Sequence, residues 1–323
     1  MSVVSRLAKR VRRALSGALP NRLRGRRDAC GEPATANGAG TALVRERREA
    51  FERCLTFLKP DLAPQQAQTI REALTTVLEC RYLEVVDRIC ADIRVADRRL
   101  LEVGCGQCWY APLLLAQGAR CFVGVDQYKD FTTKQLFDRQ FAGLTETPAR
   151  MRDMPLPLDQ FLAAFQNVEV HSADFLNWQT DRCFDTAYLL TVTEHLEDVR
   201  AVFQRIVDLL DEGGLVYFSH HNYYCWNGHH MVPRTVAEYD ANDPAMRAHA
   251  DWSHVVHFVG NDHAASEYLN AIRLHDLMAI VQELFIVEHC AFEKSAPERG
   301  GERLLHRLLG ETQLALRFRA LTP

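Results

Sequence analysis

Apolar positions follow a helical period in the first third of the chain and a shorter one after it. Val4, Leu7, Ala8, Val11, Leu15, Ala18 and Leu19 recur every three or four residues among Arg6, Lys9, Arg10, Arg12 and Arg13, which predicts a basic amphipathic helix. Residues 28–42, rich in Gly, Ala, Pro and Asn, break that pattern and read as a linker. From Ala42 to about Arg98 the helical period returns, interrupted at Pro60 and Pro64, with Leu74, Val77, Leu78, Tyr82, Val85 and Val86 as the expected buried stripe. Short apolar runs at 100–103, 121–125, 168–171, 186–190 and 215–219 then alternate with helical stretches, and further strands are expected at 285–292 and 313–319. Such alternation predicts an α/β fold: a Rossmann-like, seven-stranded, mostly parallel sheet with helices on both faces. Within it, residues 194–210 put Leu196, Val199, Phe203, Ile206, Val207 and Leu210 on one helix face, and Gly213-Gly214 is expected to stop that helix.

The pattern divides the chain into three parts. Residues 1–41 form a basic tail and linker, 42–98 a helical N-terminal extension, and 99–323 the main domain. After the fifth strand, residues 220–263 are longer than a simple strand-to-helix connection and read as an inserted cap.

With 323 residues, 47% of them hydrophobic and 25% charged, the chain can bury a large core, which excludes disordered and fibrous classes. The net charge of −4 hides an asymmetry, since residues 1–50 carry +8 and the remainder −12. An acidic body lacks the clustered Lys and Arg of a nucleic-acid surface, so no nucleic-acid partner is expected. No uncharged apolar run is long enough to span a bilayer. The ten cysteines do not form a dense secreted framework and are expected as reduced thiols, with a cytoplasmic location. The basic stretch 1–27 leaves three readings open: peripheral contact with an anionic membrane or a partner, organelle targeting, or a solvated tail.

Candidate chemistry begins where the first strand, Leu100-Leu101-Glu102-Val103, runs into Gly104-Cys105-Gly106. Glycines there allow a tight turn and close approach of backbone to a ligand. The second strand ends at Asp126, placed to accept the hydroxyls of a ribose. A dinucleotide fingerprint needs a third glycine where this chain has Trp109, which disfavours a nicotinamide-dependent dehydrogenase. Glu102, directly before the turn, suits an ammonium group better than a phosphate. Cys105 and Cys108 form a Cys-x-x-Cys pair, but no second pair completes a zinc set, and no metal is assigned.

With these residues in place, the chain resembles the class I S-adenosylmethionine-dependent methyltransferases over about residues 98–320. The family's acid-x-Gly-x-Gly-x-Gly pattern matches at Glu102, Gly104 and Gly106 and departs at Cys108. Asp126 corresponds to the family's ribose-binding acid, and Asp174-Phe175 after the third strand to its adenine-binding acid and apolar neighbour. Residues 191–198 and the Gly213-Gly214 turn also look like the family's segments. The resemblance implies S-adenosyl-L-methionine as cofactor, with Cys105, Gln127 and Thr191 joining Glu102, Gly104, Gly106, Asp126, Asp174 and Phe175 at its site.

An acceptor would sit beyond the fourth and fifth strands, where His195, His220 and His221 are the candidate catalytic bases. Residues 220–263 hold eight of the thirteen histidines, with Tyr223, Tyr224, Trp226 and Trp252. Acid–base work, metal binding and plain structure all remain open for these histidines. The expected activity is methylation of a polar small-molecule or glycan- or lipid-linked acceptor, O-methylation slightly preferred over N-methylation. The competing reading is a non-catalytic binding or assembly module on the same fold.

Overall fold

The structure is a computed structural model and describes residues 36–80, 82–127, 154–224, 228, 239–244, 246–247, 269–293 and 315–321. The basic stretch 1–27 and most of the expected cap at 220–263 lie outside these residues. The chain divides into Met1–Arg48 and Glu49–Pro323, and the second unit carries the sheet.

Among the described residues the strands are β1 (Arg99–Val103), β2 (Cys121–Asp126), β3 (Val168–Ser172), β4 (Phe184–Leu190), β5 (Leu210–His221), β6 (Ile286–Glu293) and β7 (Ala315–Leu321). They form one sheet in the order β3-β2-β1-β4-β5-β7-β6. Pairings from β3 through β5 are parallel, whereas β7 lies antiparallel between β5 and β6. The order reverses direction between β1 and β4, and in open α/β sheets ligands bind at the carboxyl ends of strands beside such a switch point.

The helices are α1 (Ala36–Leu55), α2 (Pro64–Glu79), α3 (Tyr82–Asp92), α4 (Ala111–Ala116), α5 (Leu158–Ala163), α6 (Val199–Leu209) and α7 (Leu274–Leu284). Pro64 starts α2 behind an extended Ala63, as a residue without an N–H and with fixed φ does best at a helix start. Cys80 is extended and ends α2, so the helical phase resets before α3. Therefore Leu83, Val86 and Ile89 are buried in α3, and the expected Tyr82 and Val85 are only half-buried. In α6 the Asp198 carboxylate accepts the Ala201 N–H at 2.9 Å, which starts the helix at Val199 rather than at Glu194. The chain already turns into β5 at Leu210, ahead of Gly213 (φ +71°), so the glycines form an irregularity in the strand and not a helix stop.

One core cluster joins α2, α3, α4 and α5 to one sheet face through residues such as Leu74, Val86, Leu114, Phe122, Phe161 and Tyr188. The second joins α6 and α7 to the other face through Leu101, Val125, Phe203, Ile206, Phe218 and Leu277. At the amino ends of the strands, Arg99 of β1 donates to Asp185 of β4 at 2.9 and 3.0 Å and also to Asp211 of β5. That clamp holds the Asp185 carboxyl below its usual range and leaves the opposite, carboxyl ends of β1, β2, β4 and β5 to form a site. No helix among the described residues is long and apolar enough to cross a membrane.

Candidate active site

The turn after β1 is built from two close packings. Gly104 takes φ +70° and Gly106 φ +48°, left-handed values that cost a residue with a Cβ about 1–2 kcal/mol. A Cβ on Gly104 would lie 2.6 Å from Val192, the residue that follows Thr191 beyond β4. Gly124 of β2 makes room in the same way for Cys105, whose Sγ is 2.7 Å from the place a Cβ would occupy. The loop is held down by the Gly104 N–H donating to Val125 O at 2.8 Å and the Gly106 N–H donating to Asp126 Oδ2 at 2.8 Å. Asp126 is 6% exposed, and β1 and β2 run side by side in register, Glu102 opposite Gly124. Glu102 and Asp126 therefore belong to one neighbourhood at the edge of the glycine turn.

Glu102 differs from the expectation of an open acid facing a cation. Its carboxyl is 1% exposed; Tyr110 donates to Oε1, and Tyr188, its register partner in β4, donates to Oε2 at 3.2 Å. Burial pushes its pKa up to about 8, the two tyrosines pull it down and Asp126 pushes it further up, so burial favours the neutral acid. Glu102 thus works as an internal pin joining β1, β4 and the start of α4. Tyr110 and Tyr188 carry no period or motif that marks them; only the register of β1 on β4 reveals the trio.

Asp174 is occupied locally, its Oδ1 accepting the Leu176 N–H at 3.1 Å and its Oδ2 the Asn177 amide. Phe175 is buried in the second core cluster with Trp178, rings 6.4 Å apart, which is a packing role. Gln127 is exposed at the end of β2. Cys105 and Cys108 are both free and buried, and burial with the neighbouring Cys108 raises the Cys105 thiol well above its ordinary pKa. A protonated thiol is the opposite of what a redox motif at a helix start requires. Trp109, in place of the third glycine, is 2% exposed and packs on Phe161 with centroids 5.2 Å apart. Among the described residues no group of three His, Cys, Asp or Glu side chains is placed to hold a metal.

Across the switch point, Thr191 ends β4 at φ +53° and donates its N–H to Ser219 of β5, to O at 3.2 Å and Oγ at 3.0 Å. A non-glycine in this region stores of order 1 kcal/mol, and such strain gathers at functional sites. A short 3-10 turn, Thr193–His195, follows. Asn270 pins it, donating its side-chain amide to Thr193 O at 2.7 Å and Leu196 O at 2.8 Å and its backbone N–H to Glu194 O at 2.9 Å.

Beneath this turn lies a buried polar cluster that the sequence flagged only in part. Thr193 (0% exposed), Glu194 (2%) and His220 (1%) are enclosed together. The Thr193 hydroxyl lies 2.8 Å from His220 Nδ1 and 3.3 Å from Glu194 Oε2. Burial, with His221 and His195 nearby, pushes His220 down to about 4, and burial pushes Glu194 up to about 7 against the pull of His195. Of the three histidine candidates His220 is the enclosed one; His195 and His221 are half-buried at the rim. Glu194 and Thr193 were legible only as neighbours of His195, because nothing in a single sequence announces a buried acid in a turn.

A family model described as a methyltransferase domain matches residues 74–283, running from α2 to α7 and across all of these elements. The chain belongs to that methyltransferase-domain family. No curated protein matches it. Solved structures similar to this methyltransferase domain include N-methyltransferase NodS from Bradyrhizobium japonicum, at 14% identity over 75% of this chain and 96% of that one, TM-score 0.38. An S-adenosylmethionine-dependent methyltransferase from Mesorhizobium loti is 17% identical over 74% and 96% of the two chains, TM-score 0.41. Magnesium protoporphyrin IX methyltransferase from Synechocystis is 14% identical over 88% and 94%, TM-score 0.40. Likenesses this distant say nothing of what the methyltransferase domain acts on.

Proposed function

We propose that this methyltransferase domain uses S-adenosylmethionine to methylate a polar acceptor, a hydroxyl in preference to an amine, on a small molecule or a glycan- or lipid-linked group. The observation that carries the reading is the glycine turn: two left-handed glycines at the switch point, with the Gly106 amide held by the acid that ends β2. The cofactor supplies a methyl group on a positively charged sulfur, transferred with its bonding pair left on the sulfur.

The residues present fit that group. Gly104–Gly106 offer backbone close to a ligand, Asp126 an acid for ribose hydroxyls, and Asp174 an acid in the adenine region. Gln107 Oε1 is buried and without a partner among the described residues, an acceptor suited to an ammonium donor. Glu102, its two oxygens held by Tyr110 and Tyr188, orders the loop. Positioning is a large part of catalysis in such a transfer, and a base on the acceptor side adds about 10²–10⁴-fold. His220 is the enclosed base; His195 and His221 line the same edge, and residues 220–263 cover the acceptor. A cytoplasmic enzyme fits the thiol usage and the acidic body.

Calorimetry with S-adenosylmethionine tests the reading. Saturable binding at one site per chain is the expected result; absence of heat would assign the chain to the non-catalytic binding or assembly module instead.

We further propose that the basic stretch 1–27 touches anionic membrane, which would bring a lipid-linked acceptor within reach; each basic side chain near such a surface adds about 1 kcal/mol. The full chain should co-sediment with anionic vesicles and lose most of that binding when residues 1–27 are deleted. Equal binding of both forms would refute membrane contact.

A further inference from the structure

We propose that Thr193 and Glu194 complete a buried proton relay behind His220, in which the proton removed from the acceptor at His220 Nε2 is matched by a proton leaving Nδ1 for Thr193 Oγ1 and one leaving Thr193 Oγ1 for Glu194 Oε2. This rests on the methyltransferase reading and adds to it the place where the acceptor's proton comes to rest.

The geometry sets the direction. Thr193 has one hydroxyl proton and two close partners, His220 Nδ1 at 2.8 Å and Glu194 Oε2 at 3.3 Å. Direct contact between Nδ1 and Oε2 is 3.8 Å, too long for a hydrogen bond, so the threonine is the necessary bridge. If Thr193 donates to the carboxylate, which has no proton to give when ionised, then Nδ1 must carry a proton and donate to Thr193. His220 is then the neutral Nδ1–H tautomer and its other nitrogen is a bare acceptor. His220 Nε2 is buried without a partner among the described residues, and so is Glu194 Oε1. An orphaned acceptor in a closed site costs on the order of 1–3 kcal/mol, a cost that a hydrogen-bond donor arriving with the acceptor would remove.

The titration tendencies agree with this direction. A buried imidazole pushed down to about 4 is a poor place to store a proton, whereas a buried carboxyl pushed up to about 7 holds one well near neutrality. The titratable neighbours are His195 and His221, both at the rim; each lowers His220, and His195 also favours the Glu194 anion. Asn270 fixes the backbone of the turn, so Thr193 and Glu194 cannot swing out of line. The charge closes as well: one O–H or N–H bond of the acceptor breaks, one carboxyl O–H bond forms, and the negative charge lost at Glu194 matches the positive charge lost when the sulfonium becomes a thioether. Thr193 and Glu194 act through His220 and do not touch the acceptor.

The test is imidazole ¹⁵N and glutamate carboxyl ¹³C NMR of the full chain, with the His220 signals assigned by His220→Gln. In the wild type His220 should stay neutral between about pH 5 and 8, its proton on Nδ1 where Glu194 is ionised and on Nε2 where Glu194, titrating near 7, has taken up its proton. Thr193→Val should shift the tautomer balance of His220 and uncouple the two signals. Glu194→Gln, nearly isosteric, should keep the Nδ1–H tautomer and remove the titration. A wild-type His220 that keeps its proton on Nε2 where Glu194 is ionised, or a tautomer indifferent to Thr193→Val, would overturn the relay. S-adenosylhomocysteine calorimetry on each protein separates the two layers. Wild type failing to bind it sinks the methyltransferase reading, whereas normal binding with the wrong tautomer sinks the relay alone. Should Thr193→Val not fold, the Glu194→Gln spectra decide the matter.

Discussion

Replacing Gly104 with alanine is expected to abolish measurable cofactor binding at ordinary concentrations and to lower the melting temperature by on the order of 10 °C. Two costs add. The left-handed backbone at φ +70° carries about 1–2 kcal/mol for any residue with a Cβ. The new methyl group would also meet both Val192 γ-carbons at 2.6 Å, and overpacking of this kind costs about 1–3 kcal/mol. Relief by backbone movement would displace either the glycine turn or the segment after β4, and both border the proposed cofactor site. Thermal unfolding and S-adenosylmethionine calorimetry read the two effects separately. Adding Val192→Ala should restore the packing part of the stability and not the backbone part. A Gly104→Ala protein that melts and binds like the wild type would show that Val192 does not press on this turn.

The second large effect is in the pH dependence of stability. Glu102 is raised from 4.5 to about 8, so the folded state keeps a proton that the unfolded state gives up above pH 4.5. Stability attributable to this group is complete below that value and falls as pH rises, ending near 8, at about 1.4 kcal/mol per pH unit where only one group responds. Glu194, raised to about 7, adds a fall of the same sign that ends sooner. His220, lowered from 6.5 to about 4, works the other way, its contribution being lost as pH falls from 6.5 toward 4. Between about pH 7 and 8 most of the fall belongs to Glu102, with a dwindling share from Glu194. Denaturant unfolding should show that slope in the wild type and a nearly flat line in Glu102→Gln, whose amide offers one tyrosine an acceptor oxygen and the other a donor N–H, as a neutral acid does. A slope that survives the substitution would mean that the carboxyl is ionised, and that the tyrosines do not shelter a neutral acid.

How far the sequence foretold this depends on whether a signal is periodic or three-dimensional. Strand positions were legible because parallel strands buried on both faces read as short apolar runs, as at Leu100-Leu101 and Phe122-Val123. The glycine turn and Asp126 were legible because backbone conformation and strand-end placement leave local marks. Helix limits were less so: the stop at Leu209 and the start at Val199 were set by β5 pairing and by Asp198 capping, which compete with the apolar period of residues 194–210. Site roles were least legible. Glu102 reads from its position as an acid suited to an ammonium group, and only the approach of Tyr188 across the β1–β4 register shows that a tyrosine takes one of its oxygens. The packing of Phe175 on Trp178 is likewise a contact that no local pattern announces. Thr193 joins His220 to Glu194 across 27 residues of chain, a relation no local pattern carries.

The antiparallel strand β7 lies between β5 and β6 although it follows both along the chain. Until residues 315–321 have been made and have found their place, one side of β5 has no partner among the described strands, and that side includes His220 and His221, which pair with Leu316 and Ala315. During synthesis the half of the sheet that would bind a cofactor is therefore complete well before the half that would meet an acceptor. An unfinished chain holds an adhesive, half-paired rim at the second of these, so that assembly of the acceptor side waits on the final strand.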